Sequence, residues 1–147
     1  MVSPDAGALK KVFRIAEFIG YTNDVVIASK HRNLETGKID FTTVPLDGTN
    51  ATDDFFIFDD ICDGGRTFIE IAKVIKSHAW PENQQFQGKI YLVVSHGIFS
   101  AGFDLLAEYF DGIYCTNSVK DIQDGTIVNT FSRHKTIHSL VKQKNIF

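Results

Sequence analysis

Phe55-Phe56-Ile57-Phe58-Asp59-Asp60-Ile61-Cys62-Asp63-Gly64-Gly65-Arg66-Thr67 joins an apolar run to three acidic residues, a glycine pair and a threonine. Four apolar residues without a polar interruption suit a strand buried on both faces of a parallel sheet. Asp59 and Asp60 follow at its C-terminal end, the edge where open α/β sheets bind ligands. Adjacent carboxylates repel each other, so the pair points to hydroxyl or metal recognition. Gly64 and Gly65 permit a tight turn that brings backbone N–H groups close to a ligand. Phe68, Ile71, Ala72 and Ile75 then recur at helical spacing. The turn therefore enters a helix whose N-terminus favours phosphate, with the Thr67 hydroxyl beside it. The plain alternative is an ordinary strand-turn-helix connection with acidic surface residues. Neither Gly-x-x-x-x-Gly-Lys-Ser/Thr nor a Gly-x-Gly-x-x-Gly after a strand occurs in the chain.

A length of 147 residues with 44% hydrophobic residues supports one α/β domain over residues 1–147, a mostly parallel central sheet flanked by helices. Fifteen basic against eighteen acidic residues give no overall field that attracts nucleic acid or an anionic membrane, so any anion site is local. With no apolar run of membrane-spanning length and no signal-peptide pattern, a cytoplasmic location is expected. Cys62 and Cys115 are too far apart in sequence for a Cys-x-x-Cys site and are expected to be small buried fillers.

Outward from this stretch, Ser3-Pro4-Asp5-Ala6-Gly7 is a second loop leading into a helix, with Leu9, Val12, Phe13, Ala16 and Ile19 as its apolar stripe before Gly20. Asp5 alone would be read as a helix cap. Only Met1 and Val2 precede this turn where a full strand is expected, so the chain reads as cut at its N-terminus, with an exposed sheet edge or a frayed start. Val25, Val26 and Ile27 predict a buried strand. Lys30-His31-Arg32-Asn33, Gly37 and Lys38 form a polar loop before a near-edge strand over Ile39 to Val44, giving a basic hairpin-like flap. Ile90 to Val94 is a further buried strand, and Ser95 to Ser100 the loop at its end. Leu105, Leu106 and Tyr109 mark a helix, Gly112 to Cys115 a short strand, and Thr116-Asn117-Ser118 a turn on the same edge. Thr126 to Phe131 predicts a last strand, followed by a helix capped by Ser132 with Ile137, Leu140 and Val141 inward. Lys142, Lys144 and Asn145 to Phe147 are expected to fray or dock on a neighbour.

Five of these stretches together resemble the C-terminal domain of the ribose-phosphate pyrophosphokinases, which have a type I phosphoribosyltransferase fold. They are Val2 to Gly7, Lys30-His31-Arg32, Asp59 to Thr67, Ser95 to Ser100 and Thr116 to Ser118. The acidic loop is common to all type I phosphoribosyltransferases; Ser-Pro-Asp-Ala-Gly and His-Gly-Ile-Phe-Ser are more specific to the synthetases. The resemblance implies Mg²⁺-dependent transfer of the β,γ-diphosphoryl group of ATP to the 1-hydroxyl of ribose 5-phosphate, giving phosphoribosyl pyrophosphate and AMP. It implies that Asp59 and Asp60 face the ribose hydroxyls and that Asp63, Gly64, Gly65, Arg66 and Thr67 wrap the 5-phosphate. Lys30 and Arg32 match the cations of a mobile catalytic loop, Asp5 matches an Mg²⁺ ligand, and His96 is at most part of the ligand wall. Arg66 departs from the family's pattern and either adds a phosphate contact or narrows the loop. The family also has an N-terminal half that supplies a His metal ligand and most adenine contacts, so the chain is expected to be inactive alone. A homo-oligomer is the expected assembly. The alternatives are a phosphoribosyltransferase that consumes phosphoribosyl pyrophosphate and a non-catalytic subunit associated with true synthetases.

Overall fold

The computed structural model describes residues 1–32, 39–120, 122 and 128–131, with the backbone alone at Arg32, Ile39, Asp40 and Phe131. The expected loop at Asn33, Gly37 and Lys38, the start of the last strand at Thr126, and the helix beyond Ser132 lie outside the described residues. In chain order the elements are β1 (Val2–Ser3), α1 (Leu9–Ile19), β2 (Val26–Ile27), β3 (Ser29–Arg32), β4 (Ile39–Thr43), β5 (Phe55–Cys62), α2 (Arg66–Ser77), β6 (Ile90–Gly97), α3 (Asp104–Tyr109), β7 (Gly112–Thr116) and β8 (Val128–Phe131). A 3₁₀ turn at Pro81–Asn83 separates α2 from β6.

Six strands form one parallel sheet in the order β2-β1-β5-β6-β7-β8. From β1 the chain moves outward to β2, whereas from β5 it moves the other way to β6 and β7. Right-handed crossovers then require α1 on one face and α2 and α3 on the other. The two cores follow this division. Phe56 and Phe58 join Val12 and Ala16 beneath α1, while Phe55 and Ile57 join Phe68, Ile71, Ala72 and Ile75 beneath α2. Both faces of the apolar run are thus buried, as its composition predicts. The reversal of direction lies between β1 and β5, and the crevice at such a point is where ligands bind in open α/β sheets.

Several expectations are corrected. Met1 and Val2 are buried, and β1 lies between β2 and β5 rather than at a frayed edge, because two residues suffice to fill the register Val2↔Val26 and Val2↔Ile57. The strand predicted at Val25 to Ile27 is only two residues long and half-buried, since β2 ends the sheet. Phe13 is 52% exposed, because Val12, Ile15, Ala16 and Ile19 form the face that meets the sheet and Phe13 is rotated away from it. Leu105 is likewise exposed, and Leu106 makes the core contact of α3. Strand pairing runs past the apolar runs at two places. Asp59 to Cys62 and Ser95 to Gly97 belong to β5 and β6, through the pairs Asp59↔Val94, Ile61↔His96 and Cys62↔Gly97. Cys62 and Cys115 are buried fillers as expected, and burial pushes the Cys62 thiol up to about 12, which keeps it uncharged and unreactive.

Candidate functional site

The expected turn is present between β5 and α2. Gly65 adopts a left-handed conformation with φ of 77°, and a Cβ there would meet Leu106 Cδ2 at 2.9 Å, so backbone and packing both require glycine. No side chain caps α2. The Phe68 and Ile69 N–H groups donate to the Gly65 carbonyl at 3.1 Å, so the Arg66 and Thr67 N–H groups ahead of them are the ones open to an anion at the turn. A cavity of about 300 Å³ opens here, lined by Lys30, Asp59, Asp63, Gly64, Gly65, Arg66 and Thr67, with Ile61 and Phe68 as apolar wall. Its volume suits a small sugar phosphate. Arg66 is exposed at the first position of α2 and lines the cavity.

The loop after β6 supports this turn from the side. The Ile98 and Phe99 N–H groups donate to the Cys62 carbonyl at 2.9 and 3.1 Å, and Ser100 N–H donates to the Asp63 carbonyl at 3.2 Å. Phe99 holds a positive φ of 49°, an unfavourable state for a bulky residue, and its buried ring folds back over Gly97, where a Cβ would lie 2.1 Å from Phe99 Cε2. The Gly-Ile-Phe-Ser sequence is therefore scaffold for the cradle. Thr116 and Ser118 hydroxyls donate to the Ser95 carbonyl, which ties the β7 turn to the end of β6.

Asp59 and Asp60 alternate in direction along the strand, yet their carboxyls remain in hydrogen-bond contact with each other. Asp59 lines the cavity at the turn and also a second cavity of about 190 Å³ on the α1 side, which it shares with Asp60, Lys11, Arg14 and Ser95. Lys11 Nζ forms an ion pair with Asp60 Oδ2. The Asp60 N–H donates to Asp59 Oδ1 at 2.7 Å, and His96 Nδ1 donates to the Asp60 carbonyl at 3.1 Å. Sequence reasoning missed Lys11. It reads as one more polar residue on α1, and only the crossover of α1 over β5 brings it to Asp60.

Burial, followed by the neighbouring Asp60, pushes the Asp59 carboxyl up to about 6, while the hydrogen bond from Lys11 holds Asp60 below the usual carboxylate range. A carboxyl whose folded value is raised favours the folded state when protonated, and that contribution is lost as pH rises from about 4 through about 6. Asp59→Asn is expected to gain stability relative to wild type across this interval in urea denaturation. A difference that stays flat from pH 4 to pH 7 would contradict the burial of this charge.

Lys30 and Arg32 lie in a strand, not in a loop. β3 and β4 form a separate two-stranded antiparallel sheet with the pairs Lys30↔Thr42, His31↔Phe41 and Arg32↔Ile39 and an irregularity between His31 and Arg32. The His31 and Phe41 rings stack with centroids 4.3 Å apart. This is the expected basic hairpin, and it brings the Lys30 side chain, only 18% exposed, to 3.7 Å from Asp5 Oδ2. Asp5 also caps its own loop, since Oδ1 accepts the Ala8 N–H at 3.0 Å. One Asp5 oxygen is thus structural and the other faces the site. Among the described residues no group of three or more His, Cys, Asp or Glu could hold a metal ion.

A parallel sheet with a phosphate-type turn at its reversal point, a carboxylate pair before the turn and a basic hairpin beside it defines a phosphoribosyltransferase-like α/β domain. No family model matches the chain. It is 36% identical over 126 residues to the ribose-phosphate pyrophosphokinase of Mycoplasmopsis pulmonis, which covers 84% of this chain and 36% of that protein. It is 27% identical over 145 residues to ribose-phosphate pyrophosphokinase 2 of Saccharomyces cerevisiae, covering 97% of this chain and 42% of that one. The crystal structure of phosphoribosylpyrophosphate synthetase from Mycobacterium smegmatis superposes with a TM-score of 0.68 at 17% identity over 96% of this chain and 43% of that one, which shows the shared fold. The chain is a homologue of the ribose-phosphate pyrophosphokinases and spans about two fifths of their length or less.

Proposed function

We propose that this chain carries the ribose 5-phosphate side of a ribose-phosphate diphosphokinase, which transfers the diphosphoryl group of ATP to the 1-hydroxyl of ribose 5-phosphate. The observation that carries the reading is the single cavity in which the uncapped N-terminus of α2, the Gly64-Gly65 turn, Asp59 and Lys30 converge. In this reading the α2 N–H groups, Thr67 and Arg66 hold the 5-phosphate, and the two carboxylates take the sugar hydroxyls from either side of β5. Lys30, and with it Arg32, brings positive charge from the hairpin to the transferring phosphates. Such transfer depends chiefly on positioning and on charge stabilisation. The names of the relatives favour this over a phosphoribosyltransferase that consumes phosphoribosyl pyrophosphate.

Mg²⁺ belongs to this proposal. The residues fit an ion held mainly by water and substrate phosphates, because Asp5 offers one carboxylate oxygen after capping its loop. When bound, the ion neutralises charge on the phosphates. Lys30, which rests beside Asp5, would lend its charge to the same phosphates from the hairpin.

Isothermal titration of the chain with ribose 5-phosphate tests the cradle. Binding is expected that Asp60→Ala or Thr67→Ala weakens by about tenfold, the worth of one charge-assisted hydrogen bond. Equal affinity in wild type and both variants would remove the cradle from sugar phosphate binding.

A further inference from the structure

Lys11 has no part in the function proposed above, yet it makes the ion pair to one of the two carboxylates at the centre of the site. The main chain of Asp60 is fixed on both sides, its N–H by Asp59 Oδ1 and its carbonyl by His96 Nδ1. The side chain is different. It is about half exposed, and its carboxylate is held by the Lys11 ammonium together with a contact to the Asp59 carboxyl. A half-exposed aspartate without such a partner samples its rotamers freely, and a ligand must then bear the entropy of ordering it. We infer that Lys11 is a positioning residue: from α1 it fixes the Asp60 carboxylate on the α1 side of β5, turned to accept the vicinal hydroxyls of a sugar whose phosphate lies in the α2 cradle.

The inference rests on the sugar phosphate reading of the site. Two adjoining cavities support it, because Asp59 lines both of them. A sugar ring that lies across Asp59 reaches the cradle on one side and the pocket of Lys11, Asp60 and Ser95 on the other. Val12, Ile15 and Phe58 supply the apolar floor of that pocket. Charge supports it as well. Asp59 and Asp63 line the cavity proposed for an anion and Asp60 the one beside it, and Lys11 offsets this negative charge at Asp60.

The test compares wild type with Lys11→Met, which keeps the length of the side chain and removes its charge, and with Lys11→Arg, which restores the charge. Two quantities are read at pH 7: the ¹³Cγ chemical shift of Asp60 in the free protein, and the affinity for ribose 5-phosphate by titration. Lys11→Met is expected to move the Asp60 signal and to weaken binding about threefold to fivefold, the range an exposed ion pair can carry, and Lys11→Arg to restore both. A wild type that binds while the Asp60 signal stays unmoved in Lys11→Met overturns the inference and leaves the function reading intact. A moved signal with unchanged affinity also overturns it, because the pair would then be a surface contact only. If wild type binds no ribose 5-phosphate, the function reading falls and takes the inference with it.

Discussion

Replacing Lys30 by alanine is expected to lower turnover by about 10²- to 10³-fold and to leave the KM for ribose 5-phosphate nearly unchanged. The setting for this measurement is a chimera in which these 147 residues replace the matching segment of the Mycoplasmopsis pulmonis relative. The split between kcat and KM follows from where the charges lie. In the proposed reading the ground-state phosphate rests at the α2 N-terminus and the glycine turn, which adjoin the main sheet and not the hairpin. Lys30 stands on a separate two-stranded sheet, and its ammonium rests near Asp5. Its proposed place is where negative charge accumulates during transfer, and interactions made only there raise kcat without tightening substrate. An unchanged kcat in the variant removes Lys30 from the chemistry, and an equal loss in KM makes it a binding residue instead.

The 147-residue chain by itself is expected to release AMP from ATP and ribose 5-phosphate at least about 10³-fold more slowly than that chimera, because holding two reactants in line is among the largest contributions to rate. The described residues contain no cluster that could hold a metal ion on its own, and Asp5 has one oxygen left for it. The relatives are more than twice as long as the segment they share with this chain. The chain should nevertheless fold, since β1 is an interior strand with Val2 fully buried and each face of the sheet has its own core. A folded, ribose 5-phosphate-binding chain without turnover is therefore the expected result, read by AMP release beside a binding titration. Turnover by the chain alone at the rate of the chimera would overturn the proposal that ATP is held elsewhere.

The turn at Gly64 and Gly65, the helix after it and the buried run at Phe55 to Phe58 were legible in the sequence, because each rests on local chemistry. Four apolar residues have to be buried on both sides, a left-handed turn selects glycine, and a 3.6-residue period marks a helix face. The basic hairpin was legible for the same reason, since Lys30 and Arg32 stand a few residues from a turn and a β-branched run. The limits of the strands were not. Asp59 to Cys62 and Ser95 to Gly97 look like loop by composition, and they become strand because β5 and β6, eight residues each, stay paired through these polar ends. Burial of β1 was hidden too, as two residues carry no periodicity and only their neighbours β2 and β5 make them interior. The surroundings of the carboxylate pair are likewise a tertiary fact: Asp59 lines both cavities and Asp60 only the one beneath α1, and the cation on Asp60 depends on the crossover that lays α1 over the sheet. The residue types at this site were thus set by sequence, whereas the partner of each was decided by the packing of distant elements, 49 positions apart in the case of Lys11 and Asp60.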